Sequence, residues 1–94
     1  MQYQEIERFI LATQKLADAL YASGKNGPAG YFASVSQKVK NMQVRQDFKG
    51  IRKIAQQEAR SAKLCDLGGF SAMEDKIWSE EVFPAAEAVE NMLQ

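Results

Sequence analysis

Apolar residues recur every three or four positions along most of the chain, which is the period of an α-helix. The first stretch carries Ile6, Phe9, Ile10, Thr13, Leu16, Ala17 and Leu20, and the second carries Phe32, Val35, Val39 and Met42. A third runs through Ile51, Ile54, Ala55, Ala62 and Cys65, and a fourth through Ile77, Trp78 and Val82 to Leu93. The pattern predicts an all-α four-helix bundle in which residues 1–94 form a single helical domain, with no strand.

The breaks between these stretches have the residues expected at helix ends. Gly24 lies where a left-handed residue should close the first helix, and Pro28 suits the first position of the second. The second helix is predicted to end near Asn41. Asp47 is a credible N-cap for a third helix whose first turn contains Phe48.

The fourth helix has a start signal and an internal irregularity. Gly68-Gly69 should end the third helix, and Ser71 with Glu74 three residues later has the spacing of a capping box. Pro84 lacks an N–H and restricts the residue before it, so the last helix is predicted to be kinked or split there.

Charge divides the chain into two blocks of opposite sign, although the whole chain is neutral. Residues 25–63 hold nine bases against the acids Asp47 and Glu58, a net charge of +7. Residues 66–94 hold seven acids against Lys76 alone, a net charge of −6. The two blocks can neutralise each other inside one fold, or either can be presented to a partner.

The residue inventory disfavours catalysis. The chain has no histidine, so its single cysteine, Cys65, has no imidazole to activate it, and Cys65 lies among apolar helical positions. A metal site could use only carboxylates such as Glu87 and Glu90, and a solvated acidic face is the simpler interpretation. We expect no enzymatic activity and no cofactor.

The same inventory bears on location. A single cysteine allows no internal disulfide, the N-terminal residues do not resemble a signal peptide, and no apolar run is long enough to span a membrane. We therefore expect a cytoplasmic protein without membrane contact.

Glu58 is a carboxylate in the middle of the apolar face of the third helix. A buried carboxylate needs a partner or a raised pKa. One interpretation is a structural bond to a neighbouring tyrosine or lysine, or a side chain that reaches solvent at the bundle end. The other is a polar anchor in a pocket or interface.

The opposite side of the third helix is a basic stripe formed by Lys49, Arg52, Lys53, Arg60 and Lys63. Such a stripe can remain solvated, contact an acidic protein surface, or neutralise nucleic-acid phosphates. The sequence pI of about 6.2 and the lack of interleaved aromatic residues favour an acidic protein surface over nucleic acid.

A second candidate contact is an apolar edge at the start of the fourth helix, formed by Phe70, Met73 and Ile77. Four short helices cannot easily enclose this edge together with the main stripes, so part of it should stay open to solvent. Contiguous exposed apolar surface usually marks an interface. We expect a homodimer, or a heteromeric contact of the same surface, centred on this helix.

The turn at residues 68–75, Gly-Gly-Phe-Ser-Ala-Met-Glu-Asp, resembles the Gly-Gly-Met-Gly-Ser-x-Asn-Asp segment of a family of small uncharacterised bacterial helical proteins. The entry Asp47-Phe48-Lys49-Gly50-Ile51 is also similar to that family. Ser71 replaces the third glycine and Ala72 the serine of the motif. The resemblance implies an accessory protein, such as an immunity protein or a mobile-cassette product.

Together these observations predict a non-enzymatic cytoplasmic protein-interaction module of bacterial accessory type. Its partner would be a second copy or a charged protein. The alternative is a nucleic-acid-binding module that uses the basic stripe of the third helix.

Overall fold

A computed structural model describes residues 4–59 and 69–92, and the structural statements that follow concern these residues. The helices are α1 (Gln4–Ala22), α2 (Asn26–Val44), α3 (Phe48–Ala59), α4 (Ala72–Ile77) and α5 (Phe83–Met92). A π-helical turn, Trp78–Val82, joins α4 to α5 without a break, and we call the three segments together the C-terminal helix. Counted in this way the described chain has four helices and no strand, which confirms the predicted all-α four-helix bundle.

Each helix packs against the helices that precede and follow it in the bundle. α1 contacts α2 and also the whole C-terminal helix, while α3 packs on α5 and on α2. The basic α3 is therefore a direct neighbour of the acidic C-terminal helix.

The core consists of the apolar stripes that the sequence predicts. Phe9, Leu16 and Leu20 of α1 and Val82 and Val89 of the C-terminal helix are fully buried. Burying side chains of this size stabilises the fold by about 1.5–3 kcal/mol each before the entropy of folding is counted.

An aromatic cluster closes one part of the core. The ring of Phe32 lies 6.1 Å from that of Trp78 and 6.2 Å from that of Phe70, both in inclined arrangements. Aromatic pairs at such distances and angles add attraction beyond the area they bury. The cluster attaches α2 to the start of the C-terminal helix.

The turn between α1 and α2 confirms the prediction for Gly24 and corrects that for Pro28. Gly24 has φ +76°, and the Lys25 N–H donates to the Leu20 carbonyl at 2.9 Å, which completes a Schellman motif. Because α2 begins at Asn26, Pro28 is its third residue and not its first. The N–H that proline lacks is still one of the four unpaired donors at a helix start, so no hydrogen bond is lost.

The junction between α2 and α3 is a second such turn. α2 continues to Val44, three residues past the predicted end, and Gln46 takes the left-handed conformation with φ +58°. Asp47 then caps α3, since its carboxylate accepts the Gly50 N–H at 3.0 Å. A Cβ at position 50 would lie 2.6 Å from the Asp47 carboxylate, so a larger residue there would displace the capping side chain.

The C-terminal helix begins with the predicted capping box. The Ser71 hydroxyl accepts the Glu74 N–H at 3.3 Å, and the Glu74 carboxylate accepts the Ser71 N–H at 2.8 Å. The predicted helix stop at Gly68 lies outside the described residues, but Gly69 has φ +64°.

The irregularity predicted at Pro84 takes the form of the π-helical turn. The Phe83 N–H donates to the Trp78 carbonyl five residues earlier, one residue further than in an α-helix. The turn lets the helix pass the missing proline N–H with only a minor kink. Trp78 and Val82 therefore both stay buried in the core.

Candidate functional site

The candidate site is the basic surface of α3 and its surroundings. Lys49 and Lys53 are exposed and Arg52 is half-buried, on the side of α3 opposite the buried Ile51 and Ala55. Positions three and four apart are neighbours on a helix, so these three side chains form one patch. The other two predicted members, Arg60 and Lys63, lie outside the described residues.

α2 and the α2–α3 turn carry further exposed bases. Lys38, Lys40 and Arg45 are exposed on the same pair of helices. We use the name basic surface for Lys38, Lys40, Arg45, Lys49, Arg52 and Lys53. Among the described residues of α2, α3 and their turn, the only acids are Asp47, which caps α3, and the buried Glu58.

Two acids of the C-terminal helix pair with bases outside the basic surface. Glu81 pairs with Lys15 of α1 at 2.7 Å, and Glu74 pairs with Lys25 of the α1–α2 turn at 2.5 Å. Within residues 4–59 and 69–92, no ion pair joins a base of the basic surface to an acid of the C-terminal helix. Lys49 and Lys53 are both exposed to solvent.

Glu74 is the centre of a buried polar network. Its carboxylate accepts hydrogen bonds from Ser23 Oγ and Lys25 Nζ, both at 2.5 Å, and from the Ser71 N–H at 2.8 Å. Burial alone would raise the pKa of Glu74, but these donors outweigh it and lower the pKa to about 2. The ionised carboxylate ties the α1–α2 turn to the start of the C-terminal helix.

Glu58 forms a different kind of pair. It is 1% exposed, and its Oε1 accepts the hydroxyl of Tyr31 on α2 at 2.9 Å. Burial raises the pKa of Glu58 in spite of this hydrogen bond. Burial and the adjacent carboxylate raise the pKa of Tyr31 to about 12. The predicted bond to a tyrosine is confirmed, and it links α2 to the end of α3.

The apolar edge predicted at Phe70, Met73 and Ile77 is only partly open. Ile77 is 5% exposed and belongs to the core, which corrects its assignment to an open edge. Phe70 is half-buried because its ring packs against Phe32, whereas Met73 is 66% exposed. The helix entry that the capping box sets turns Ile77 inward and leaves Met73 outside. A dimer centred on this edge stays a prediction.

The structure adds a surface that the sequence analysis did not identify. An open groove of about 810 Å³ runs over the outer side of α1, between Gln43 near the end of α2 and Glu81 of the π-helical turn. Leu11 lines this groove and is 66% exposed. The sequence signal for it is an isolated leucine outside the apolar stripe of α1, with charged residues one turn away on either side.

Two further features concern ligands and membranes. In the part of the chain that the structure describes, no group of three or more acidic or cysteine side chains is placed to hold a metal ion. No described helix combines the length and apolar character that a membrane crossing needs.

Comparison with protein-family models, with curated proteins and with solved structures finds no match to this chain. The resemblance of residues 68–75 to small bacterial helical proteins therefore stays an expectation from the sequence.

Proposed function

We propose that this protein is a non-enzymatic, cytoplasmic protein-interaction module of bacterial accessory type, and that its basic surface binds an acidic surface of another protein. The compartment follows from the single cysteine and the accessory role from the resemblance of the turn at residues 68–75. The binding mode rests on the placement of charge in the bundle.

The observation that carries the proposal is that, among the described residues, no ion pair uses a base of the basic surface. The acids Glu74 and Glu81 pair with Lys25 and Lys15, which lie outside the basic surface. Lys49 and Lys53 lie exposed on α3 and make no ion pair with a described acid of the C-terminal helix. A patch of one sign on a neutral molecule steers association with a patch of the other sign and selects against like-charged partners.

A protein partner suits this surface better than nucleic acid does. The chain is neutral overall, so the phosphates of a long duplex would meet the acids of the C-terminal helix as well as the bases. The described part of α3 has one aromatic residue, Phe48, which is half-buried against the core and so presents no open ring for base stacking.

The experiment is capture from an extract of the source cell followed by zero-length carbodiimide cross-linking. A carbodiimide joins a lysine amine to a carboxylate only where the two are in contact. The expected result is one protein that is cross-linked through its Asp or Glu side chains to Lys49 or Lys53 and is lost with the double variant K49E/K53E.

The matched control is the double variant R8E/K76E, which reverses two exposed bases away from the basic surface. It should retain the partner. Capture that K49E/K53E leaves intact would contradict the proposal. Capture that disappears on nuclease treatment, with steep salt dependence, would instead assign the surface to nucleic acid.

A further inference from the structure

The outer side of α1 carries opposite charges at equal distances on either side of an exposed leucine. Such a pattern is complementary to a second, antiparallel copy of itself. Leu11 lies at its middle with two-thirds of its surface exposed. Glu7 lies one helical turn before Leu11 and Lys15 one turn after it, and both are exposed. At 1.5 Å per residue, each charge is about 6 Å from Leu11 along the axis, in opposite directions.

This spacing has a geometric consequence for two copies of the chain. When two α1 helices lie antiparallel about a two-fold axis at Leu11, each Glu7 falls opposite Lys15 of the other copy. Leu11 meets Leu11, and the two ion pairs lie symmetrically on either side. A shift that centres the axis on Glu7 or on Lys15 would instead place like charges together.

The groove around Leu11 also has a balanced charge, so two copies of it do not repel each other. Its ionised residues are Glu7, Arg8, Lys15 and Glu81, two of each sign. The basic surface and the acidic C-terminal helix would each oppose a second copy of themselves. Charge balance therefore favours a second copy of this chain over a strongly acidic or basic partner in this groove.

The existing contacts leave the charges available. Lys15 already pairs with Glu81, but the two side chains remain 57% and 40% exposed. An ammonium group has three N–H donors, so Lys15 can bind Glu7 of a second copy without leaving Glu81. An exposed pair of this kind contributes little by itself, and the apolar contact at Leu11 supplies the rest of the attraction.

We propose that the outer face of α1 is a self-association surface on which two copies meet antiparallel, with Leu11 at the two-fold axis and Glu7 facing Lys15 of the other copy. The proposal does not depend on the binding mode of the basic surface. One helix face is a small interface, so the dimer should be weak and should dissociate within about 1 µM to 1 mM protein.

The test is sedimentation equilibrium of the full chain and of charge-exchange variants. E7K places lysine opposite Lys15, and K15E places glutamate opposite Glu7. Each should weaken self-association about tenfold or more, since like charges then face each other. The double variant E7K/K15E exchanges both charges and should restore the dimer.

Mixing the two single variants gives the sharpest result. In a mixed pair, the lysines at positions 7 and 15 of one copy face the glutamates at positions 15 and 7 of the other. The mixture should form heterodimers more tightly than either variant forms homodimers. A loss of the Lys15–Glu81 pair inside one copy cannot produce this rescue.

L11E should also abolish association, whereas V44E should not, because Val44 is 85% exposed but does not line the groove. Circular dichroism checks that every variant keeps its helical content. A monomer up to 1 mM, or a dimer that E7K, K15E and L11E leave unchanged, would overturn the proposal. A dimer that responds to Met73 substitution alone would instead place the contact on the C-terminal helix.

Discussion

Glu58 and Glu74 are each 1% exposed, but their surroundings differ. The Glu74 carboxylate accepts hydrogen bonds from the Lys25 ammonium, the Ser23 hydroxyl and the Ser71 N–H. These donors lower its pKa to about 2, although burial acts in the opposite direction. The Glu58 carboxylate accepts a hydrogen bond from the Tyr31 hydroxyl, and burial raises the pKa of Glu58. Equal solvent exposure thus accompanies opposite pKa shifts, because the balance between the cost of burying the charge and the donors that stabilise it differs between the two sites.

The two carboxylates also differ in what they connect. Glu74 joins the turn after α1 to the start of the C-terminal helix, through partners about fifty residues away in the chain. Glu58 joins α2 to the end of α3 through Tyr31. The Glu74 network is built around an ion pair, whereas the Tyr31–Glu58 contact is a hydrogen bond from a neutral hydroxyl on the mostly apolar face of α3.

Of the changes at the two glutamates, removal of the Glu74 carboxylate should cause the largest loss in the free energy of unfolding. E74A leaves the Lys25 ammonium partly buried without its partner and removes one side of the capping box. We expect a loss of about 3–5 kcal/mol in the free energy of unfolding, measured by urea denaturation at pH 7. E80A changes an exposed acid of the same helix and should stay within about 0.5 kcal/mol. A similar loss in both variants would show that the network is not the cause.

The contributions of the two glutamates to stability should depend on pH in opposite ways. Because the pKa of Glu74 falls from 4.5 to about 2 on folding, its stabilisation is present above pH 4.5 and is lost as the pH falls toward 2. Because the pKa of Glu58 is raised, its contribution is fully present below pH 4.5 and is lost as the pH rises through the folded-state pKa.

Urea unfolding of the wild type, E74Q and E58Q between pH 2.5 and pH 8 measures both effects. The difference between wild type and E74Q should shrink on acidification. In contrast, wild type should lose stability relative to E58Q as the pH rises. Parallel profiles for the two variants would mean that both carboxylates have the same charge state in the fold.

The Ser71 hydroxyl of the capping box should contribute less to stability than the Glu74 carboxylate does. S71A removes the hydroxyl that accepts the Glu74 N–H, while the carboxylate keeps its bonds to Lys25 and Ser23. We expect a loss of about 1 kcal/mol by thermal or urea denaturation. S34A, at an exposed position inside α2, should be neutral or slightly stabilising because alanine is the better helix former. An equally neutral S71A would argue that the Glu74 side chain alone holds the helix start.

The smallest effect should come from an isosteric change at Glu58. E58Q keeps an oxygen that can accept the Tyr31 hydroxyl, and it removes the cost of burying a charge. The free energy of unfolding at pH 7 should change by less than about 1 kcal/mol. A loss above about 2 kcal/mol would contradict the comparison, since Glu58 would then be stabilised as an anion, as Glu74 is.

The sequence by itself determined the features that depend on residues close together in the chain. The apolar period predicts four helices, and the cap at Asp47, the turn at Gly24 and the capping box at Ser71 all appear where predicted. A cap is made within three residues, and a helical stripe within two turns, so local order is enough to specify them. Two local details were not predicted correctly: Pro28 is the third residue of α2, and α2 ends at Val44. Both depend on the geometry of the adjoining turns.

Only the tertiary structure decided how these local units meet. That Lys25 reaches Glu74, that Tyr31 reaches Glu58, and that Ile77 is buried while Leu11 is exposed all depend on how helices distant in sequence pack. A helical pattern states which residues share a face, but not which neighbour covers that face or at what angle. The pattern therefore showed two blocks of opposite charge, and packing decided that Lys15 and Lys25, not the bases of α3, pair with Glu81 and Glu74.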